Sequence, residues 1–225
     1  MNCIIVCDKP WTKQLASAFN NYHSANIFVI SKKELFSYDY LNKVSPDYIF
    51  FPHYSYQIPE MIYKNFECVV FHMTDLPFGR GGSPLQNLIE KGIYKTKMSA
   101  IKVTGEIDAG PIYLKRNFYL YGSAEEIYLR SSQLIYDMIV DIVKNKQKPY
   151  PQTGEVTIFK RRKPSDSDIK FLSTLEQVYD YIRMLDADGY PLAYLETDKF
   201  RFEFSRASQK CDYIIADVKI FKKAE

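Results

Sequence analysis

Tryptophan occurs once and histidine three times in 225 residues. Four cysteines (Cys3, Cys7, Cys68, Cys211) form no C-x-x-C pair and no zinc spacing with the histidines, so no metal site is expected. Cys3 and Cys7 share the parity of one strand face and read as small buried hydrophobes. No apolar stretch is long enough to span a bilayer, and Met1-Asn2-Cys3 runs straight into an apolar strand rather than a signal peptide. A cytoplasmic protein without membrane attachment is therefore the expectation. An excess of one charge is missing too. Lys and Arg number 30 against 27 Asp and Glu, a net charge of +3, and this near balance argues against nucleic acid as a partner. The densest basic run, Lys160-Arg161-Arg162-Lys163, suits a solvated strand end or loop better than a phosphate site.

Aromatics are plentiful, with 19 Tyr and 15 Phe. Most of them are expected to pack a core, and the remainder offer stacking surfaces for rings or sugars. Hydrophobic residues make up 46% and charged residues 25%, as in ordinary folded proteins.

Asn2 to Cys7 is a continuous apolar run, expected to be a strand buried on both faces; Ala25 to Ile30 reads as a second buried strand, and Asp47 to Phe51 and Glu67 to Phe71 as a third and fourth strand. Helical segments lie between them at Trp11 to Asn20 and Ser31 to Tyr38. This alternation predicts an α/β fold with an open, mostly parallel, Rossmann-like sheet and flanking helices. Met98 to Thr104 and Pro111 to Leu120 read as further strands, with Gly105 to Gly110 a tight connection. Ser83-Pro84-Leu85-Gln86 opens a helix with the pattern of a capping box. Ser123 and Glu126 cap a longer helix that runs to about Asn145. Pro149-Tyr150-Pro151 ends it as a linker, which divides the chain into a domain over 1–150 and a small module over 151–225. Within that module Ser173 and Glu176 cap a helix, and three β-like runs follow at Leu192 to Glu196, Phe200 to Arg206 and Tyr213 to Phe221.

Ligands of open α/β sheets bind at the carboxyl ends of strands. His72 stands at such an end, before the glycine-bearing loop that leads to Ser83. It is placed for proton transfer or for holding a polarised oxygen, and equally for a purely structural role. Asp108, in Gly105-Glu106-Ile107-Asp108-Ala109-Gly110-Pro111, either orients that imidazole or caps a turn. On local pattern alone both readings stand.

Two longer patterns add to this. His72-Met73-Thr74-Asp75-Leu76-Pro77, followed by Arg80-Gly81 and Ser83-Pro84-Leu85-Gln86, resembles the H-x-S-x-L-P…R-G…P…Q signature of the folate-dependent formyltransferases. Val103 to Ile112 resembles their second signature, in which the aspartate of a D-x-G triplet completes the site. Pro151-Gln152, Glu155 and Lys160-Arg161…Asp166 to Ile169 look like the family's region after the catalytic part. The resemblance implies formyl transfer from N10-formyltetrahydrofolate to a primary amine. His72 would assist proton movement and help hold the tetrahedral species, and Asp108 would fix His72 and help move the amine's proton. Gln57-Ile58-Pro59 resembles the family's segment whose backbone lines the pterin slot, with Ile107 near the same slot. The loop residues Thr74, Arg80, Gly81, Gly82 and Ser83 are expected to take up substrate. Where the family has an asparagine two residues before the histidine, this chain has Val70. Either Asn87, His53, Thr74 or a backbone N–H of Gly81-Gly82 replaces that donor, or the chain is a weakened or altered member.

The short β-rich tail is similar to that of members acting on nucleotide-linked amino sugars, so a sugar N-formyltransferase for a surface glycan is the expectation. Arg80, Lys102, Lys115 and Arg116 would then be available to a diphosphate, and nucleic acid would not be a partner. The alternatives are a methionyl-tRNA formyltransferase, a formyltetrahydrofolate hydrolase, or a non-catalytic nucleotide-sugar or folate-binding protein. A homodimer through the C-terminal module is expected by analogy.

Overall fold

The computed structural model describes residues 1–31 and 36–223. Its contacts gather the chain into two compact units. The first comprises Met1–Gly81, Thr96–Phe118 and Tyr128–Ile158, and the second Gly82–Lys95, Tyr119–Ile127 and Phe159–Glu225. Packing thus groups segments from before residue 150 with the C-terminal tail.

The first unit is built on a six-stranded sheet. β1 (Asn2–Val6), β2 (Asn26–Ile30), β3 (Tyr48–Phe51), β4 (Cys68–His72), β6 (Lys95–Lys102) and β7 (Ile112–Tyr119) lie in the order β2-β1-β3-β4-β6-β7. β5 (Arg80–Gly81) is a two-residue strand in the loop after β4. β1 pairs in parallel with β2 and β3, and β3 with β4, whereas β4 meets β6 antiparallel with His72 opposite Ser99. The sheet is therefore mixed, with its parallel half where the apolar runs alternate with helices.

β1, β3 and β4 have the continuous apolar texture of central parallel strands, and Cys3, Ile4, Ile5, Ile49, Phe50, Phe51 and Val69 are fully or almost fully buried. β2 has the same texture but occupies the sheet edge, and Val29 is 40% exposed. The expectation of a buried strand fails there because an edge strand has a neighbour on one side only. One face of the sheet packs Ile4, Val6, Ile49, Phe51 and Cys68 with Leu41 of α2 (Tyr38–Val44) and Ile62 of α3 (Glu60–Asn65). The helix expected over Ser31 to Tyr38 falls largely on 32–35, outside the described residues. α1 (Thr12–Ala18) ends in a 3-10 turn at Phe19–Asn21. α5 (Ala124–Asn145) opens with the expected capping box: the Ser123 N–H donates to Glu126 Oε2 (2.8 Å) and the Glu126 N–H to Ser123 Oγ (3.3 Å). Its stripe of Ile135, Met138, Ile139 and Ile142 is completely buried.

In the second unit, α4 (Pro84–Glu90) and α6 (Leu175–Arg183) join a three-stranded antiparallel sheet of β9 (Ala193–Glu196), β10 (Phe200–Gln209) and β11 (Ile214–Lys222). β8 (Ile158–Phe159) leads into this part of the chain. Two caps differ from expectation. Ser83 precedes α4 in a left-handed conformation (φ 49°) and makes no side-chain cap; its hydroxyl accepts the Arg162 N–H instead (3.1 Å). Gln86, the expected box partner, is buried and donates to the Met184 carbonyl (3.0 Å). α6 is capped one residue later than expected, by Thr174 and Gln177.

Candidate functional site

His72 closes β4. Because side chains alternate along a strand, it shares a face with Val70 and Cys68. The imidazole is 7% exposed. Its Nε2 lies 2.7 Å from the Gly79 carbonyl oxygen, and a carbonyl can only accept, so Nε2 carries a proton. That leaves Nδ1 facing Asp108, whose Oδ2 is 3.5 Å away. The same Oδ2 accepts the Gly81 N–H at 2.9 Å. A backbone carbonyl at one end of the ring and a carboxylate at the other thus fix its orientation.

The loop after His72 is shaped to return its backbone to the ring. Leu76–Pro77 is a cis peptide, and Gly79 (φ 74°) and Gly81 (φ 103°) both occupy the left-handed half of conformational space that glycine enters without a Cβ penalty. The Gly79 N–H donates to Thr157 Oγ1 (2.6 Å), and Thr74 Oγ1 donates to the Gly79 carbonyl (3.3 Å). Asp108 itself has a φ of 52°, a strained setting for a residue with a Cβ. Next to it Gly110 approaches β6 so closely that a Cβ there would lie 1.7 Å from the Lys102 carbonyl oxygen. Only glycine fits, and the aspartate's loop is pinned to the sheet at that point.

Gln152 completes the arrangement. Its Nε2 donates to the carbonyls of Asp108 and Gly110 (2.8 Å each), while its Oε1 accepts from Arg80 Nε (3.1 Å) and Nη2 (2.8 Å). Gln152 lies in a stretch that resembles the family, but an amide acting through backbone carbonyls leaves no local pattern in the sequence.

The structure brings His72, Asp108, Thr74, Arg80 and Gly81 together in the first unit. Gly82 and Ser83 belong to the second unit, where a Cβ on Gly82 would collide with Arg161 at 2.6 Å. Ile107 is 78% exposed, a large apolar side chain presented to solvent beside Asp108. Ile58 is buried in the core with Ile4, Ile49 and Ile62, so only the backbone of Gln57-Ile58-Pro59 and the exposed side chains of Gln57 and Pro59 face outward.

None of the basic residues expected to await a diphosphate is idle. Arg80 is held by Gln152, Lys102 pairs with Glu67 (2.7 Å), Lys115 with Asp75 (2.5 Å) and Arg116 with Asp141. Within the basic run, Lys160, Arg161 and Lys163 are exposed. The Arg162 side chain is only 10% exposed, bonded to Glu90 at 2.6 Å and stacked 5.0 Å over the Tyr181 ring. Among the described residues there is no group of three or more His, Cys, Asp or Glu that could hold a metal ion, and no helix is long and apolar enough to cross a membrane.

Comparison with known proteins bears on the donor, the acceptor and the family. Residues 164–221 match the family model of the methionyl-tRNA formyltransferase C-terminal domain. A solved methionyl-tRNA formyltransferase from Clostridium thermocellum is 52% identical, covers 99% of this chain and 100% of its own, and superposes with a TM-score of 0.96. The curated methionyl-tRNA formyltransferase of Mycoplasma capricolum is 27% identical over 178 residues, 75% of this chain and 56% of that protein. The chain thus spans about half the length of the curated relatives it matches. A 4-N formyltransferase from Francisella tularensis shares the fold, with a TM-score of 0.66 over 88% of this chain and 93% of its own, at 17% identity. These findings overturn the expectation of a sugar N-formyltransferase with a nucleotide-linked amino sugar as partner. The tail matches the C-terminal domain model of methionyl-tRNA formyltransferases, so its shortness is no argument for a sugar acceptor. The exclusion of nucleic acid falls with it: net charge is a sum, and near balance does not preclude the local exposure of cations seen at Lys160, Arg161 and Lys163. Two signatures meeting at one ring, and full-length similarity at 52% identity, have one reading: the chain belongs to the folate-dependent formyltransferase family.

Proposed function

We propose that the protein transfers a formyl group from N10-formyltetrahydrofolate to the amine of methionyl-tRNA, with His72 and Asp108 carrying the chemistry. The observation that supports this most is the His72–Asp108 contact, set at the strand end and fixed by Gly79 and Gly81. The full-length similarity to the Clostridium thermocellum enzyme supports the choice of acceptor.

The residues present fit a flat, partly apolar donor. Ile107 offers an exposed apolar side chain next to Asp108, and the Gln57-Ile58-Pro59 backbone is held by the buried Ile58. Those residues would hold the donor, which when bound supplies an activated formyl group. His72 donates Nε2–H to Gly79, so its other nitrogen is the one that faces Asp108 and the reacting groups. A proton on Nδ1 stabilises negative charge developing on the acyl oxygen. Asp108, held through Oδ2 between the Gly81 N–H and the ring, steadies that imidazolium and is placed to accept the proton the amine releases. Thr74, Arg80 and Gly81 shape the loop on which the acceptor would settle.

The test is direct. The protein is incubated with N10-formyltetrahydrofolate and methionyl-tRNA, and N-formylmethionine is measured after deacylation. Its appearance, lost by about 10²–10⁴-fold in folded His72→Asn and Asp108→Asn, supports the proposal. Folate deformylation without N-formylmethionine, or full activity in both variants, refutes it.

A further inference from the structure

Gln152 spends its entire hydrogen-bonding capacity at the site. An amide has two N–H donors and an oxygen with two lone pairs, and here both donors go to carbonyls (Asp108 and Gly110) and both lone pairs to one guanidinium (Arg80). The four bonds also fix which way the amide points. Turned over, it would set its NH2 against the Arg80 N–H groups and its oxygen against two carbonyl oxygens.

Three separate parts of the chain meet at this side chain. Arg80 belongs to the loop whose Gly79 carbonyl and Gly81 N–H hold His72 and Asp108. Asp108 and Gly110 belong to the loop between β6 and β7. Gln152 itself follows α5, where the chain is anchored by Tyr150 bridging to Ile112. Asp108 adopts a left-handed backbone conformation, which needs support from its surroundings. The Gln152 bond to its carbonyl supplies that support from the backbone side, while Gly81 and His72 engage the carboxylate.

We propose that Gln152 is a positioning residue of the formyl-transfer site, clamping the Asp108 loop to the Arg80 loop so that the carboxylate meets His72 Nδ1. The inference rests on His72 and Asp108 being the reacting pair, and it reaches the chemistry only through them.

Gln152→Glu separates the two halves of the clamp. The carboxylate still accepts from Arg80 but has no proton for the Asp108 and Gly110 carbonyls, which it repels. Gln152→Met, of similar length, abolishes both halves and serves if the charged variant fails to fold. Two readouts are needed in the folded protein. The first is steady-state formyl transfer: kcat is expected to fall about 10- to 100-fold in either variant, with KM for both substrates within about threefold. The second needs no turnover. The chain has three histidines, and the ¹⁵N ring signals report tautomer and partner. The His72 Nδ1 signal is expected to move in the variants while those of His23 and His53 stay put. Unchanged kcat together with an unmoved His72 signal in a folded variant overturns the clamp. A moved His72 signal in a protein whose wild type forms no N-formylmethionine upholds the clamp and overturns the proposed reaction instead.

Discussion

Acid should destabilise this protein through His53 in a way that can be isolated. The ring sits in the turn that follows β3, with Ser131 Oγ 3.1 Å and Ser132 Oγ 3.5 Å from its Nε2. Trp11 and Tyr128 meet it edge-on, at 6.2 Å and 5.5 Å between centroids. Burial, reinforced by the Lys9 charge, holds the imidazole down at about 3, against 6.5 for a free histidine. The folded value is the lower one, so between those limits the unfolded chain binds a proton that the folded chain refuses. Stability from this group is fully present above pH 6.5 and falls as the pH drops toward 3, by up to about 1.4 kcal/mol per unit. Between pH 7 and pH 5 the loss comes to about 2 kcal/mol. That figure depends almost wholly on the unfolded value, because at pH 5 any folded value well below 5 gives the same result. Urea unfolding of wild type and His53→Asn across pH 5 to 7.5 measures it. Asparagine tolerates the φ of 53° at this position and does not titrate. Every other ionisable group contributes equally to both proteins, so the difference between the two stability curves reports His53 alone. A difference that stays flat across this range refutes the reasoning.

Other expectations follow from single features. Cys3, Cys7 and Cys68 are buried thiols, each pushed up to about 12 by burial, and Cys211 is exposed; a thiol reagent at pH 8 should modify one cysteine in the native protein and four in denaturant. Gly110→Ala drives a methyl group into the Lys102 carbonyl and should cost about 1–3 kcal/mol in urea unfolding, with a larger proportional loss of transfer activity because the Asp108 loop must move. Val70→Asn restores a donor two residues before His72. It should raise kcat by at least tenfold while lowering stability by about 1–3 kcal/mol, and an unchanged kcat in the folded variant would show that the acyl oxygen is stabilised from elsewhere.

Legibility from sequence divides along a physical line. β1, β3 and β4 are visible because strands buried on both faces are apolar throughout; β2 looks alike in sequence yet lies at the edge, and texture alone does not tell one from the other. The α5 cap is local, three residues apart, and was readable. The α4 cap was not, because Arg162 takes the Ser83 hydroxyl from 79 positions away. At α6 the sequence holds two overlapping candidates, Ser173 with Glu176 and Thr174 with Gln177, and only the backbone decides between them. His72 and Asp108 emerged as a pair because each lies in its own family-like signature. Gln152 remained hidden because its partners are mostly carbonyls, which every residue has.

Val70 limits what the site can do. Its side chain points to the same face as His72 but packs with Leu76, Ile101 and Ile112, so the position is filled with hydrocarbon rather than left open for a polar group. Each donor considered as a replacement is already engaged. The His53 ring lies against Ser131 and Ser132, and the Asn87 amide donates to the carbonyls of Gly82, Ser83 and Lys160. The Gly81 N–H goes to Asp108, and the Gly82 N–H to Phe159 (3.1 Å). Thr74 has the weakest commitment, a 3.3 Å bond to a carbonyl that His72 already holds at 2.7 Å, but it is completely buried and an incoming oxygen could not reach it. In the proposed reaction, charge developing on the acyl oxygen would fall to His72, through a nitrogen whose orientation depends on Gly79 at one end and Asp108 at the other. A site with one donor in place of two tolerates little misalignment of that donor, and this is why the supports of the ring, Gly79, Gly81 and Asp108, should matter to the rate nearly as much as the ring itself.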